Sequence, residues 1–436
     1  MTAADAGSIA PALILAIGGV VAALVAIPGR VDARPLAWLG AAASLVAATA
    51  AVAIGPSADG SLGFGGTVAR DGASVFLVTL VGVVAAASLA LLAGDPRPRR
   101  RSADAVSLVL FSASGAALAV TAADLVVLFA AIALLVIPLH GRSLRPFVLG
   151  AVSTAVVVYG SALLYAAAGE TAYAGLGRAT HNPLYLAGLG LVLAGLTSHL
   201  ILAPAQRTAI VANVAIAGAL LRLVAATRTG AVALDWEVSL ATLAAVALTI
   251  TGLAAFTERR VRRLIAYATL SQLGYVTMAL AGSAAAAAAF ALATYAMLAI
   301  VLFAVLAILP AHEPTLTDLA GLARRRPLLV CALGVAVLGL IGIPPAASFI
   351  AKLYVFEAAV RAQLLWLVIV GTLTTAVNAA AYVRLVLACL APSRLDAVAP
   401  ARARVHAAVA AAAAVAIVGV GLFPGPLLEA AQAVQF

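Results

Sequence analysis

The chain consists of long apolar runs separated by short segments that contain charged residues, proline or glycine. Most runs are about twenty residues long, the length that an α-helix needs to cross the hydrocarbon core of a bilayer. Windows bounded by these breaks predict fourteen membrane-spanning helices. Their expected bounds are 8–28, 36–55, 73–93, 105–122, 124–141, 146–168, 184–204, 207–227, 236–257, 264–282, 284–310, 327–360, 363–391 and 404–424.

Composition agrees with this pattern and narrows the fold class. Hydrophobic residues make up 65% of the chain and charged residues 10%, with a mean hydropathy of +1.16, values far outside those of soluble domains. Only α-helices and closed β-barrels satisfy their backbone polar groups in lipid, and the short alternating segments of a barrel do not occur here. The sequence therefore predicts an all-α polytopic membrane protein.

The arginines predict how the chain is oriented. Of the 26 basic residues, 20 fall in alternate loops or at helix ends on one side of the predicted bundle, which the positive-inside rule assigns to the cytoplasm. Clusters such as Arg97, Arg99, Arg100 and Arg101 and the net charge of +10 are explained by this rule, so no nucleic-acid partner is expected. The first eight residues carry Asp5 and no basic residue, so the first run is expected to remain a helix. Both termini are predicted on the external side of a bacterial-type inner membrane.

Two proline breaks interrupt the helical pattern. Pro344-Pro345 lies near the middle of 327–360 and removes two backbone donors, which predicts a discontinuous helix. Pro204 interrupts the join between the seventh and eighth runs. Broken helices at membrane depth line cavities in ion transporters, and paired breaks suggest an internal repeat.

Lys352 is the only lysine; the other 25 basic residues are arginine. It follows the Pro344-Pro345 break inside an apolar stretch. Arginine stays protonated in essentially any protein environment, whereas a desolvated lysine can take up and release a proton near neutral pH. Cys331 and Cys389 are too few for an iron–sulfur cluster and too isolated for zinc, and both are interpreted as buried small hydrophobes.

Several segments resemble a known family, the antiporter-like membrane subunits of proton-pumping NADH:quinone oxidoreductase (complex I), and subunit N in particular. The strongest are Arg262–Tyr275, Asp318–Leu322 with Arg324–Pro327, and Gly342–Phe356. Weaker collinear matches are Phe64-Gly65-Gly66, Asp71-Gly72, Asp124–Phe129 and Pro138-Leu139. The resemblance covers nearly the whole chain.

The resemblance implies two inverted five-helix repeats and a polar axis along the membrane midplane. The expected segments are 1–104, an N-terminal group of three helices; 105–228 and 235–391, the two antiporter-like repeats; and 392–436, a C-terminal helix and tail. It also implies that this chain carries no cofactor, and that quinone, flavin and iron–sulfur clusters belong to partner subunits. The expected partners are other membrane subunits of complex I or a related complex, together with the lipid bilayer.

The polar axis of the family uses a glutamate and a series of lysines, and here that set is depleted. The resemblance aligns Ala133 with the glutamate, His199 with the first central lysine and Asn213 with the next. Histidine titrates near neutrality and can relay protons, whereas asparagine cannot carry one. Lys352 aligns with the last lysine. The proton-transfer candidates are therefore Lys352 and His199.

Other polar residues have a structural and a functional interpretation. Tyr267, Ser271, Gln272 and Tyr275 recur at helical spacing on the tenth helix and either join helices or line a water path, with the joining role preferred. Glu357 is too far round its helix to pair ideally with Lys352 and is interpreted mainly as an anchor at the helix end. Arg222 is expected to neutralise Asp235 or Glu237.

Three functions remain open at this stage. The first is a subunit N-like component that couples quinone reduction to proton translocation. The second is a subunit of a multisubunit cation/proton antiporter, which shares the broken helices. The third is a scaffold subunit that has lost pumping, which Ala133 and Asn213 favour.

Overall fold

The computed structural model describes residues 3–27, 32–57, 62–94, 100–140, 144–180, 182–202, 209–309, 313–392 and 404–434. Their architecture is helical throughout, with only isolated β-bridges in the loops. The first nine helices are α1 Ala3–Ala26, α2 Ala33–Ile54, α3 Gly72–Ala93, α4 Arg100–Thr121, α5 Leu125–His140, α6 Leu144–Ala168, α7 Tyr173–Leu176, α8 Pro183–Leu202 and α9 Ala209–Thr227. The remaining nine are α10 Ala233–Thr257, α11 Val261–Ala281, α12 Ala285–Ile308, α13 Leu322–Arg325, α14 Pro327–Ile341, α15 Ala347–Arg361, α16 Leu365–Leu390, α17 Arg404–Leu422 and α18 Gly425–Gln432.

The helices agree with the predicted crossings. In the described part of the chain, 12 helices are long and apolar enough to span a bilayer, and α5 and α14 contain shorter apolar stretches. The predicted stretch 327–360 is divided into α14 and α15, so the discontinuous helix at Pro344-Pro345 is confirmed. The predicted break at Pro204 lies outside the described residues. The short helices α7, α13 and α18 were not predicted, because they are too short to give a membrane-length apolar run.

Both ends of the described chain lie at the same end of the bundle. Asp5, in the first turn of α1, accepts a hydrogen bond from the backbone nitrogen of Phe64 at 2.8 Å. Gly72, at the start of α3, packs against the carbonyl of Ala433. A chain that starts and finishes on one side crosses the bundle an even number of times, so these contacts agree with fourteen crossings.

The opposite end of the bundle carries many of the arginines. Arg34 donates a hydrogen bond to the carbonyl of Ala93, Arg384 donates to that of Ala255, and Arg260 pairs with Glu313. We call this side the arginine end, defined by Arg34, Arg260 and Arg384. The positions of these three arginines agree with the predicted alternation.

Close packing in the first half of the bundle depends on glycine. A methyl group at Gly188 of α8 would lie 2.9 Å from the carbonyl oxygen of Gly160 in α6, and one at Gly160 would lie 2.8 Å from that of Gly188. Gly195, two turns further along α8, lies directly on Val157. Inside a membrane the hydrophobic effect contributes little to helix association, so helices depend on close packing. Small residues allow the two helix backbones to approach each other closely enough for it.

Large apolar side chains cover much of the outer surface, as expected for a protein surrounded by lipid. Ile17, Leu253 and Leu373 are each more than half exposed. Cys331 is also exposed, on the outer face of α14, whereas Cys389 is buried. The prediction that both cysteines are buried was therefore wrong for Cys331, because an apolar run in a membrane protein does not distinguish the lipid face from the core.

Candidate functional site

The break between α14 and α15 forms the centre of the candidate site. Gly342 ends α14 with a φ of +86°, a left-handed conformation that favours glycine. Its backbone nitrogen donates to the carbonyls of Leu338 and Gly339, and Ser348 also donates to Gly339. The carbonyls of Leu340 and Ile341 are left to accept from side chains.

The side chain of Lys352 fills that role. It is 7% exposed and lies in the second turn of α15. Its Nζ donates to the carbonyl oxygens of Leu340 at 2.9 Å and Ile341 at 3.0 Å, and to Thr375 Oγ1 on α16 at 3.5 Å. The three donors of an ammonium group therefore each have an acceptor.

Two further features shape the surroundings of this amine. Its Nζ lies 4.7 Å from the ring centroid of Tyr275 on α11, a cation–π geometry. A methyl group at Gly342 would lie 2.9 Å from Lys352 Cδ, so the absence of a side chain there makes room for the lysine stem. The negative end of the α14 dipole favours the ammonium form, and removal from water opposes it.

No described carboxylate forms an ion pair with Lys352. Glu357, five residues further along α15, pairs instead with Arg361 at 2.5 Å, and both side chains are about half exposed or more. The structure thus places Glu357 at the helix end and away from Lys352. Lys352 is held by neutral dipoles rather than by a fixed negative charge.

The polar residues of α11 bond to two neighbouring helices, α14 and α16. Tyr275 donates to the carbonyl of Gly371 at 2.8 Å and shares a hydrogen bond with Thr375 at 2.6 Å. Gln272 donates to the carbonyl of Leu340, one of the acceptors of Lys352. Ser271 accepts from Asn378 on α16 at 3.0 Å. Tyr267 is half-buried near the start of α11 and takes no part in these bonds.

The candidates from the first half of the chain lie in separate places. His199 on α8 is 1% exposed, and its Nε2 lies 3.3 Å from Thr154 Oγ1 on α6. Asn213 on α9 donates to the hydroxyl of Tyr295 on α12 at 3.0 Å. Among the described residues, no direct hydrogen bond joins the Asn213–Tyr295 pair to Lys352.

Ala133 lines an apolar groove between α5 and α6. The groove has a volume of about 550 Å³, and Thr154 is its main polar side chain apart from the exposed Tyr159. The position that the resemblance assigns to a glutamate is therefore occupied by a methyl group on an apolar wall. A lone carboxylate would be costly there.

Arg222 forms a buried ion pair near the end of the bundle where Asp5 and Ala433 lie. It bonds Asp71 twice, from Nη1 at 3.0 Å and Nη2 at 2.6 Å, and also donates to Ser74 and to the carbonyl of Val120. Burial raises the pKa of the Asp71 carboxyl, but the Arg222 guanidinium and the hydrogen bonds from Ser74 together hold that pKa below its usual range.

The main partner of Arg222 is therefore Asp71, and the predicted pairing with Glu237 was wrong. Glu237 pairs with Arg228 at 2.9 Å, and Arg222 joins α9 to α3 and α4. Proximity in sequence favoured Asp235 and Glu237, but α9 packs against the start of α3, which the sequence did not indicate.

Three residues of the site on α16 were not predicted: Thr375, Asn378 and Tyr382. They are separated by three and four residues, so they share one helix face. Polar residues at that spacing within an apolar run were a usable signal. Thr154 and Tyr295 gave no such signal, because no polar residue lies three or four positions from either one in its helix.

The described site residues offer few groups that could hold a metal ion or a cofactor. Within the described ranges, no three His, Cys, Asp or Glu side chains lie close enough together to hold a metal ion. The site instead offers one amine, hydroxyls, amides and backbone carbonyls. Such groups can hold water and pass protons.

Comparisons with known proteins agree on a single family. The family model described as NADH:quinone oxidoreductase/Mrp antiporter, TM, matches residues 142–378, which include His199 and Lys352. The chain is 34% identical over 426 residues to NADH-quinone oxidoreductase subunit N 2 of Koribacter versatilis, covering 87% of this chain and 86% of that protein.

Solved structures show the same fold. A chain of respiratory complex I from Thermus thermophilus, solved with bound aureothin, has a TM-score of 0.82 and 28% identity, covering 97% of this chain and 99% of that one. A chain of the Mrp complex from Dietzia sp. has a TM-score of 0.83 at 20% identity, covering 99% and 97%, a likeness of fold alone. The chain therefore belongs to the NADH:quinone oxidoreductase/Mrp antiporter family of membrane subunits, among the relatives named NADH-quinone oxidoreductase subunit N.

Proposed function

We propose that this chain is the subunit N-like membrane component of complex I or a close relative, and that Lys352 is its proton-exchanging group. Quinone, flavin and iron–sulfur clusters reside in partner subunits, and quinone reduction there drives proton transfer here. The observation that carries the proposal is the bonding of Lys352 across a broken helix, by neutral acceptors and without a paired carboxylate among the described residues.

Neutral acceptors allow Lys352 to exist with or without its extra proton. A lysine in a close ion pair keeps its proton, because losing it leaves the partner charge uncompensated. The carbonyls of Leu340 and Ile341 accept hydrogen bonds from either the ammonium or the neutral amine. Movement of α14 against α15, or of charge in a neighbouring subunit, then changes the balance between the two forms.

His199 has a secondary role in the proposal. It is buried, and its contact with Thr154 lies behind the groove that Ala133 lines. An imidazole can relay protons in that position, while Asn213 and Tyr295 orient water between the halves. The first half of the chain, which contains His199, therefore supplies a weaker relay, and the second half, which contains Lys352, carries the proton exchange.

We assign the arginine end to the cytoplasm and both termini to the external side of a bacterial-type inner membrane.

Substitution of Lys352 in the assembled complex tests the proposal. Lys352→Met keeps the apolar stem and removes the titrating group. Quinone reduction should persist while the number of protons translocated per electron pair falls. Thr372→Val on α16 is a control, because Thr372 is exposed and bonds only within its own helix. An unchanged ratio for Lys352→Met in a fully assembled complex would refute the role of Lys352 and favour a scaffold subunit.

The rival function as a cation/proton antiporter rests on the shared fold with the Mrp chain. It predicts sodium-driven proton movement in vesicles without an electron donor. The higher identity to subunit N relatives supports the complex I proposal.

A further inference from the structure

The ring of Tyr275 lies over the amine of Lys352 and is fixed from two sides. Tyr275 is 2% exposed, and its hydroxyl bonds to the carbonyl of Gly371 and to Thr375, both on α16. Its ring meets Phe356 of α15 in a T-shaped contact, with the centroids 6.1 Å apart and 68° between the planes. Phe356 follows Lys352 by four residues, so both side chains lie on the same face of α15. Two helices therefore hold the ring beside the amine.

The backbone of α16 makes room for this arrangement at Gly371. A methyl group there would lie 3.0 Å from Phe356 Cε1 and 3.4 Å from Tyr275 Cε1. The absence of a side chain lets α16 approach both rings closely enough for the Tyr275 hydroxyl to reach the carbonyl of Gly371. The position of the ring is therefore set by the packing of α11, α15 and α16.

The face of this ring distinguishes the two protonation forms of the amine. An aromatic face carries partial negative charge and attracts a cation within about 6 Å of its centroid, whereas a neutral amine gains much less from it. Lys352 Nζ lies 4.7 Å from the centroid of Tyr275. The carbonyls of Leu340 and Ile341 accept hydrogen bonds from both forms. The ring therefore adds a stabilisation that Lys352 loses when it gives up its proton.

The charged and titratable groups of the neighbouring helices are directed elsewhere or are uncharged. In the described part of the chain the charged groups pair at helix ends: Glu357 with Arg361, Arg263 with Glu258 and Glu313, and Arg384 with carbonyls of α10. Arg262 and Arg404 lie in the first turns of α11 and α17. His406 packs on Gly94 at the start of α17, about 22 Å along that helix from Gly421 at the break. The remaining groups are uncharged phenols and thiols, those of Tyr267, Tyr295, Tyr354, Tyr382, Cys331 and Cys389.

We propose that Tyr275 is a positioning residue whose ring stabilises the ammonium form of Lys352 and so sets the pH range in which Lys352 exchanges its proton. The proposal rests on the function proposed above, because it concerns the same exchanging group. The ring itself neither accepts nor donates the proton. It acts only on the balance between the ammonium and the amine, so its removal should shift that balance towards the amine.

Separate removal of the ring and of the hydroxyl tests this role. The number of protons translocated per electron pair is measured across neutral and alkaline pH in vesicles that contain the assembled complex. Tyr275→Leu should lower the pH at which this number falls to half by about one unit, a tenfold change in the ratio of ammonium to amine. Tyr275→Phe keeps the ring and should leave that midpoint unchanged. Tyr165→Leu is the matched control, because Tyr165 is 52% exposed on α6.

A graded series tests the ring without the loss of packing that Tyr275→Leu brings. Fluorinated phenylalanines at position 275 keep the shape of the ring, and each fluorine withdraws electron density from its face. The midpoint should therefore fall with each added fluorine. A role limited to packing or assembly would lower the number of protons at every pH without moving the midpoint, and would contradict the proposal.

The outcomes separate this inference from the proposed function. An unshifted midpoint in Tyr275→Leu and in the fluorinated series, when Lys352→Met is defective, would overturn the role of the ring and leave that of Lys352 intact. Equal shifts in Tyr275→Phe and Tyr275→Leu would assign the effect to the hydroxyl and would also overturn the role of the ring. Normal pumping by Lys352→Met would refute the proposed function and the role of the ring with it. Assembly of each variant is measured first, so that the fluorinated series still gives a result if Tyr275→Leu fails to assemble.

Discussion

Lys352 Nζ donates to the carbonyl oxygen of Leu340 at 2.9 Å, so the amine of one half-helix bonds the end of the other. Helix α15 carries the lysine, and α14 supplies the carbonyl. The bond forms only because the chain leaves helical geometry between Gly342 and Ala346, which frees the carbonyls of the last turn. The position of the amine therefore depends on the backbone of the break.

The first prediction concerns the contact of α17 with that break. Gly421 packs directly on the carbonyl of Pro345, and a methyl group there would also lie 2.8 Å from the backbone nitrogen of Ala347. Gly421→Ala should displace α17 or the break, at a cost of about 1–3 kcal/mol in the free energy of unfolding. Thermal unfolding of the purified complex in detergent measures the loss, and proton pumping reports displacement of Lys352.

Gly419 provides the matched control on the same helix. Among the described residues, no neighbouring side chain or helix lies within 4 Å of the place that a methyl group at Gly419 would take, so Gly419→Ala meets open space. Equal effects from both variants would show that helix propensity, and not contact with Pro345, governs the result.

The second prediction concerns the pairing of α6 and α8, which carries Thr154 and His199. Gly188→Ala inserts a methyl group 2.9 Å from the carbonyl of Gly160. The two backbones must then separate, which lengthens the contact between Thr154 Oγ1 and His199 Nε2 from its present 3.3 Å. We expect lower thermal stability, again by about 1–3 kcal/mol.

Gly190→Ala is the control for this second prediction. Gly190 lies on the same helix and faces open space in the described part of the chain. The substitution should be neutral or slightly stabilising, since alanine favours helix over glycine. A destabilised Gly190→Ala protein together with an unaffected Gly188→Ala protein would contradict the glycine contact.

The third prediction concerns the ion pair of Arg222 and Asp71. Asp71→Asn keeps the shape of the side chain but removes the carboxylate that pairs with the guanidinium of Arg222, whose side chain is 4% exposed. Breaking a buried pair on one side costs about 3–5 kcal/mol, and unfolding measured at neutral pH should show a loss of about that size. Glu170→Gln, which removes the exposed partner of Arg178, should change stability by less than about 1 kcal/mol.

The same pair predicts a dependence on pH. The folded-state pKa of Asp71 is lowered from the usual value of 3.8, so the native state binds its proton less readily than the unfolded chain. The stabilisation is complete above about pH 4 to 5 and is lost as the pH falls through the folded pKa, below 3.8. The stability difference between the wild type and Asp71→Asn should therefore stay constant from about pH 7 to 5 and shrink at lower pH. A difference that peaks in acid would contradict the assignment.

The sequence predicted the crossings and the break because both depend on local properties. Apolar length specifies a spanning helix, and Pro344-Pro345 interrupts one wherever it packs. Which helices pack together could not be predicted from local sequence. Arg222, for example, pairs with Asp71, which is 151 residues away in sequence. Asn378 and Tyr382 belong to the site because α16 packs against α10 and α11, and the sequence alone does not indicate that packing. The division into repeats at 105–228 and 235–391 stays a prediction.

The last prediction separates charge from proton exchange at Lys352. Lys352→Arg keeps a positive group that can donate to the carbonyls of Leu340 and Ile341, so the break should fold and the complex should assemble. A guanidinium does not release its proton near neutral pH, so proton translocation should fall as far as in Lys352→Met while quinone reduction continues. The measurement is the ratio of protons to electrons in reconstituted vesicles for both variants. If Lys352→Arg pumps normally and Lys352→Met does not, a fixed charge suffices, and Lys352 acts electrostatically rather than by exchanging a proton.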